Sequence, residues 1–103
     1  MARTTENDVA LGVLRIAAGR PDGLCTFNRA RAELPSLLSL NAADNAPSGT
    51  RAGEPMWHQL IRNIRCHHDA DGNFVERGLL EHVSRRGYRA TNAGRALLKK
   101  KGF

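Results

Sequence analysis

Apolar positions come in short periodic runs separated by turn-forming residues. Val9, Val13, Ile16 and Ala17 fall at i, i+4, i+7 and i+8 and so share one face of a first helix. Thr4 or Thr5 precedes the run as an N-cap, and Glu6 and Asp8 sit where the helix dipole favours negative charge. Gly19-Arg20-Pro21-Asp22-Gly23 ends it, because proline and glycine interrupt the helical ladder and Asp-Gly favours a turn. Leu24-Cys25-Thr26 then reads as a short extended piece. Thr26 caps a second helix, Phe27 to Leu34, with Phe27, Ala30 and Leu34 inward. Pro35 sets its end by pushing the residue before it out of the helical region. Leu37, Leu38 and Leu40 form an apolar patch that packs as an extra turn.

The periodicity lapses from Asn41 to Gly53, a stretch rich in Asn, Asp, Pro, Ser and Gly that reads as a long functional or mobile loop. Pro55 suits the first position of a third helix, which runs to about Cys66. Its Trp57, Leu60, Ile61 and Ile64 form the core face, at i, i+3, i+4 and i+7. His67 to Asn73 is a break, and Phe74 to Arg77 makes one more turn, ended by Gly78. Leu79 to Val83 and Tyr88 to Ala90 read as two strands of a hairpin, with Gly87 at the turn position that needs a positive φ. Thr91 caps a last helix, Asn92 to about Lys101, with Ala93, Ala96 and Leu97 inward and three lysines at its negative end. The order predicts an α+β fold, a winged helix-turn-helix in which helices pack on a small antiparallel ribbon. Leu24–Thr26 is its expected third strand.

With 103 residues the chain has room for one domain, and 5% aromatic residues leave the core to Leu, Ile, Val and Ala. No apolar run approaches the ~18 residues of a membrane span. The start, MARTTENDVALG, has no apolar signal core, so the expected location is cytoplasmic. Cys25 and Cys66 match no metal, redox or disulfide spacing and read as incidental thiols. The net charge of +6 is uneven. Residues 1–53 hold six Arg against five acids, whereas residues 54–103 hold ten Lys or Arg against five acids, together with all four His. A one-sided basic excess is the footprint of a polyanion partner.

That charge gives the third helix a second meaning. Outside its apolar stripe stand His58, Gln59, Arg62, Asn63 and Arg65, with no acid between Pro55 and Cys66. Any surface helix is polar on one side, but a solvated face normally mixes signs. Arg reads guanine in bidentate fashion, and Asn or Gln reads adenine. The expectation is that Gln59, Arg62 and Asn63 meet base edges, with His58 and Arg65 on the backbone. The hairpin turn adds Arg85 and Arg86, with Arg89 just beyond on the return strand, suited to a minor groove or the flanking phosphates, or simply to protecting a sheet edge. Cys66-His67-His68-Asp69-Ala70-Asp71 holds metal-ligand types, but adjacent residues rarely converge on one ion; His67 and His68 suit a helix C-terminus better. Ser36, Ser39, Ser48 and Ser84 lie in no nucleophile pattern, and no phosphate loop is present. Neither enzymatic activity nor a cofactor is expected.

GEPMWHQLIRNIRCHH, GNFVERGLL and RRGYRATNAGRALL together resemble the winged-helix domain at the N-terminus of Mrr-type restriction endonucleases and small stand-alone bacterial relatives of it. The resemblance rests on Trp57, Arg62 and Asn63, then His67 and His68, Gly72 and Asn73, Gly78 and Leu79, and Tyr88, Thr91 and Gly94. It spans residues 53–98 and implies binding of double-stranded DNA without the nuclease domain of those enzymes. The rival expectation is a protein partner, docked on the 41–53 loop and the Leu37/Leu38/Leu40 patch. A distant third is a metal-dependent enzyme using His67, His68, Asp69 and Asp71.

Overall fold

A computed structural model describes residues 4–49 and 51–103. The first helix, α1 (Glu6–Ala18), starts on a capping box: Thr5 Oγ1 accepts the Asp8 N–H at 3.1 Å, and the Asp8 carboxylate accepts the Thr5 N–H at 2.9 Å. Ala10, Gly12 and Leu14 are buried along with the predicted Val9, Val13, Ile16 and Ala17. The helix is covered on more than one face because it is central, packing against the sheet and against several of the helices that follow it.

Strand β1 (Leu24–Thr26) leads into α2 (Phe27–Glu33), which Thr26 caps by accepting the Arg29 N–H at 3.1 Å. The chain then tightens into a 3₁₀ turn, Leu34–Ser36, which accommodates Pro35. Leu37, Leu38 and Leu40 lie half-buried against the core.

The 41–53 stretch is not one structureless loop. Asn41 and Asp44 form a second capping box around a one-turn helix, α3 (Ala42–Asn45). Asp44 is 0% exposed, and its carboxylate also accepts the Thr4 N–H at 2.8 Å and the Thr4 hydroxyl at 3.0 Å. Past α3 the chain doubles back. Pro47 bridges Pro55, Ser48 N–H donates to the Glu54 carbonyl at 2.7 Å, and Met56 N–H donates to the Ala46 carbonyl at 2.8 Å. Thr50 lies outside the described residues.

The helix predicted third is fourth in chain order, α4 (Met56–Cys66). Pro55 is its N-cap rather than its first helical residue, with ψ at 152°. Trp57, Leu60, Ile61 and Ile64 are buried, as their spacing predicts. One turn closes over Asn73–Arg77, where Arg77 N–H donates to the Asn73 carbonyl at 2.9 Å. Strands β2 (Leu80–Val83) and β3 (Gly87–Ala90) pair antiparallel, Glu81 opposite Arg89 and His82 opposite Tyr88. β1 joins the other edge of β3, giving a three-stranded antiparallel sheet in the order β1-β3-β2.

Gly87 takes the positive φ expected of it, +155°. It is also required for space: a Cβ there would lie 2.0 Å from the Cys25 carbonyl oxygen across the β1–β3 pair. Arg85 in the same turn has a positive φ too, +65°. In the last helix, α5 (Asn92–Lys101), Ala93 and Ala96 are exposed, and the buried residues are Gly94 and Leu98. Gly94 sits where a Cβ would meet the Leu79 carbonyl oxygen at 2.2 Å, so the helix axis comes closer to the chain at that face than any side chain permits. Among the described residues no helix is long and apolar enough to cross a membrane.

Candidate nucleic-acid interface

The apolar stripe of α4 faces α1, which leaves its polar residues on the outer side of the fold. Arg62 does not extend from there into solvent. Its guanidinium is ion-paired with the Glu54 carboxylate, one residue before the N-cap. The acid missing from within the helix is thus supplied by the residue that leads into it. The Glu54 side chain is only 12% exposed. Burial raises its pKa, but the Arg62 guanidinium and the Ser48 hydroxyl outweigh that and hold the carboxyl below its ordinary value.

His58 stands edge-on to Trp57, with ring centroids 4.2 Å apart. Its pKa is lowered, first by burial and then by the charges of Arg31 and Arg62. A neutral imidazole is therefore its form at pH 7. The side-chain carbonyl of Gln59 is buried and makes no hydrogen bond among the described residues, so its acceptor end is withdrawn from solvent. Asn63 is half-buried and Arg65 is exposed. Arg65 acts on the hairpin: its charge, after burial, lowers the pKa of His82.

On the hairpin, Arg85 and Arg86 are exposed at the tip. Arg89 is not with them. It lies back along β3, paired at 2.9 Å with Glu81 on the neighbouring strand. The tip is fastened to α2, whose Phe27 N–H donates to the Arg86 carbonyl at 3.1 Å.

Two open depressions run between these elements. One is lined by Arg51, Glu54, His58 and Arg62 together with Phe27 and Arg31. The other has Phe27 and Arg31 again, now with Asn28, Arg85 and Arg86. Phe27 and Arg31 thus join the start of α4 to the hairpin tip in one basic surface. Sequence reasoning named four members of it: His58, Arg62, Arg85 and Arg86. It missed Arg31 and Arg51, which come from α2 and from the fold-back before α4. Gln59, Asn63, Arg65 and Arg89 line neither depression.

The His67–Asp71 segment has a structural task. His67 Nδ1 lies 2.6 Å from Glu6 Oε1 at the start of α1, and His68 Nδ1 lies 3.1 Å from the Arg65 carbonyl oxygen near the end of α4. Asn73, 3% exposed, donates to the Ile64 carbonyl at 2.9 Å and to Glu6 at 3.1 Å, and its Oδ1 accepts from the N–H groups of Val75 and Glu76. Among the described residues no group of three or more His, Cys, Asp or Glu is placed to hold a metal ion. Cys25 is buried, which pushes its thiol up to about 12, and Cys66 is exposed; neither forms a disulfide.

No family model, curated protein or solved structure matches the chain. Most of the residues that carry the Mrr-like resemblance are engaged internally. Trp57 is core, Arg62 holds Glu54, His67 and Asn73 hold Glu6, and the Thr91 hydroxyl donates to the Gly78 carbonyl.

Proposed function

We propose that the protein is a DNA-binding winged helix without enzymatic activity, in which α4 enters the major groove and the β2–β3 hairpin is the wing. The order of helices around a three-stranded sheet is compatible with that arrangement; α3 is an addition to it. The observation that carries the reading is the basic surface from Arg51, His58 and Arg62, past Phe27 and Arg31, to Arg85 and Arg86. Among the described residues Glu54 is the one carboxylate lining either depression, and Arg62 already holds it. Clustered guanidinium groups around a concave surface suit the backbone of a duplex, and the exposed part of α4 suits its groove.

The test is an NMR titration with mixed-sequence duplex DNA at two salt concentrations. Shifts at residues 56–66, 84–89, Arg31 and Arg51, weakening steeply with salt, are the expected result. Failure to bind any duplex at micromolar protein and low salt overturns the reading.

One observation favours a protein partner instead. Leu11, Leu37, Leu38 and Phe103 line an open groove beside α1 together with Asp8 and Arg15, and Phe103 is 58% exposed. Shifts confined to residues 37–53 and Phe103 on addition of a binding protein would favour that reading.

A further inference from the structure

Among the described residues, Gly23, Gly53, Gly72, Gly78 and Gly102 take φ between 70° and 88°. Glycine enters that region freely, whereas a Cβ crowds the next carbonyl. Arg85, at φ +65°, is the one described non-glycine residue with positive φ. Gly or Asn would occupy this turn position at lower cost. A strained residue retained at a tip where easier ones fit points to a use for its side chain.

The surroundings say which use. Arg85 and Arg86 face Arg31 across the open depression at the start of α2, and Thr26, Phe27 and Asn28 complete its lining without a carboxylate. Asn28 orients the Arg31 guanidinium through a hydrogen bond. Among the described residues none of these three arginines forms an ion pair, whereas Arg29, Arg62 and Arg89 all do. Asp22 feels the charge of Arg86, but its carboxylate is held by the Leu24 N–H at 3.0 Å. The geometry therefore leaves three guanidinium groups around one open cleft.

We infer that this cleft is a phosphate clamp: Arg31 from α2 and Arg85 and Arg86 from the hairpin grip one phosphodiester of the DNA backbone. The inference rests on the DNA-binding reading and narrows part of that surface to one phosphate held by three named arginines. Guanidinium forks match phosphate oxygens in pairs, which suits arginine at all three positions. An uncharged turn residue at position 85 would relieve the backbone and lose the ligand.

The test compares wild type, Arg85→Asn, Arg85→Lys and Arg31→Gln by thermal melting and by duplex binding across a salt series. Arg85→Asn is expected to melt higher, by about 4 °C, and to bind duplex about tenfold more weakly, with the salt slope reduced by about one phosphate. Arg85→Lys should keep the slope, and Arg31→Gln should reduce it as Arg85→Asn does, with little change in melting. If wild type binds duplex while Arg85→Asn and Arg31→Gln keep the wild-type slope, the clamp is overturned and the broader reading stands. A lower melting temperature for Arg85→Asn removes the strain the inference starts from and also overturns it. If inorganic phosphate alone, at millimolar concentration, saturates shifts at Arg31, Arg85 and Arg86 while the duplex leaves them unmoved, the site takes free anions and the backbone assignment fails. Wild type that binds no duplex overturns the DNA-binding reading itself.

Discussion

The Tyr88 hydroxyl accepts the backbone N–H of Arg65 at 3.1 Å and so joins the hydrogen bonding of α4. It donates in turn to the Ile61 carbonyl at 2.7 Å. Ile61 and Arg65 are four residues apart, the pair an α-helix joins directly. A side chain from the hairpin thus bonds two backbone groups of the helix, which fixes the two elements relative to each other. Tyr88 is 1% exposed, and burial raises its phenol well above the ordinary range, so the hydroxyl stays protonated and keeps donating. Tyr88→Phe should cost about 1 kcal/mol, because the two backbone groups keep their places in the helix and lose only the hydroxyl. It should also change the angle between α4 and the hairpin. Melting checks the first effect. The second should appear as weaker duplex binding at unchanged salt slope.

Arg62→Ala should act on stability before it acts on DNA. The side chains of Arg62 and Glu54 are 26% and 12% exposed, and removing the cation leaves a mostly buried carboxylate without its partner. Breaking such a pair costs about 1–3 kcal/mol at partial burial. Glu54→Gln in the Arg62→Ala background should restore part of the loss. A binding defect in Arg62→Ala alone is therefore no evidence of base reading unless the double variant shows it too. The pH sign is fixed as well. Glu54 has a depressed folded pKa, so its contribution is present above its unfolded value of 4.5 and is lost as pH falls through the folded value. Melting of Glu54→Gln should lack that acid-side loss.

Much of the fold was legible locally because the signals are local. Thr5, Thr26 and Thr91 announce their helices, and the four-residue apolar stripe of α4 is buried as spaced. The misses are of two kinds. Asn41-x-x-Asp44 is a capping-box pattern that the surrounding turn-rich composition hid, and the Asp44–Thr4 bonds bridge residues forty apart. In α5 the inward face is marked by Gly94 rather than by alanines, because close approach to Leu79 selects for an absent side chain and hydrophobic counting does not register glycine. The candidate site divides the same way. Arg62 was visible as a charge but its partner Glu54 was not, and Arg31 and Arg51 join the surface only through tertiary packing.

His58 and His82 give a second pH dependence with a defined sign. Burial is the largest cause at both, reinforced by Arg31 and Arg62 at His58 and by Arg65 at His82. A folded pKa below the ordinary 6.5 means that the folded state binds fewer protons than the unfolded chain in that window. Stability should therefore fall as pH drops from 6.5 through the folded values. A phosphate beside His58 would favour the imidazolium, so duplex should raise the His58 pKa and affinity should rise on acidification. Ring-proton NMR titrations with and without duplex check both. A His58 pKa unmoved by saturating duplex places phosphate elsewhere.

Gly94→Ala inverts the usual helix rule. In an exposed helix interior the substitution gains up to about 1 kcal/mol from lower backbone entropy in the unfolded chain. Here the new methyl would lie 2.2 Å from the Leu79 carbonyl oxygen and 2.8 Å from Leu14 Cδ1. The first of these is backbone, locked between α5 and β2, and it cannot swing aside. Thr91 tightens the junction further, since its N–H donates to the same Leu79 carbonyl and its hydroxyl bonds the Gly78 carbonyl. Displacing α5 would also lift Leu98 out of the core. The expected loss is about 2–4 kcal/mol. Gly12→Ala in α1 is the matched control: its methyl meets the end of the Leu34 side chain at 2.6 Å, with no backbone atom in the way. Rotation of Leu34 can absorb part of that overlap, so Gly12→Ala should cost clearly less. Urea denaturation of the two variants ranks them directly, and a Gly94→Ala protein as stable as wild type would mean that α5 does not sit against Leu79 as described.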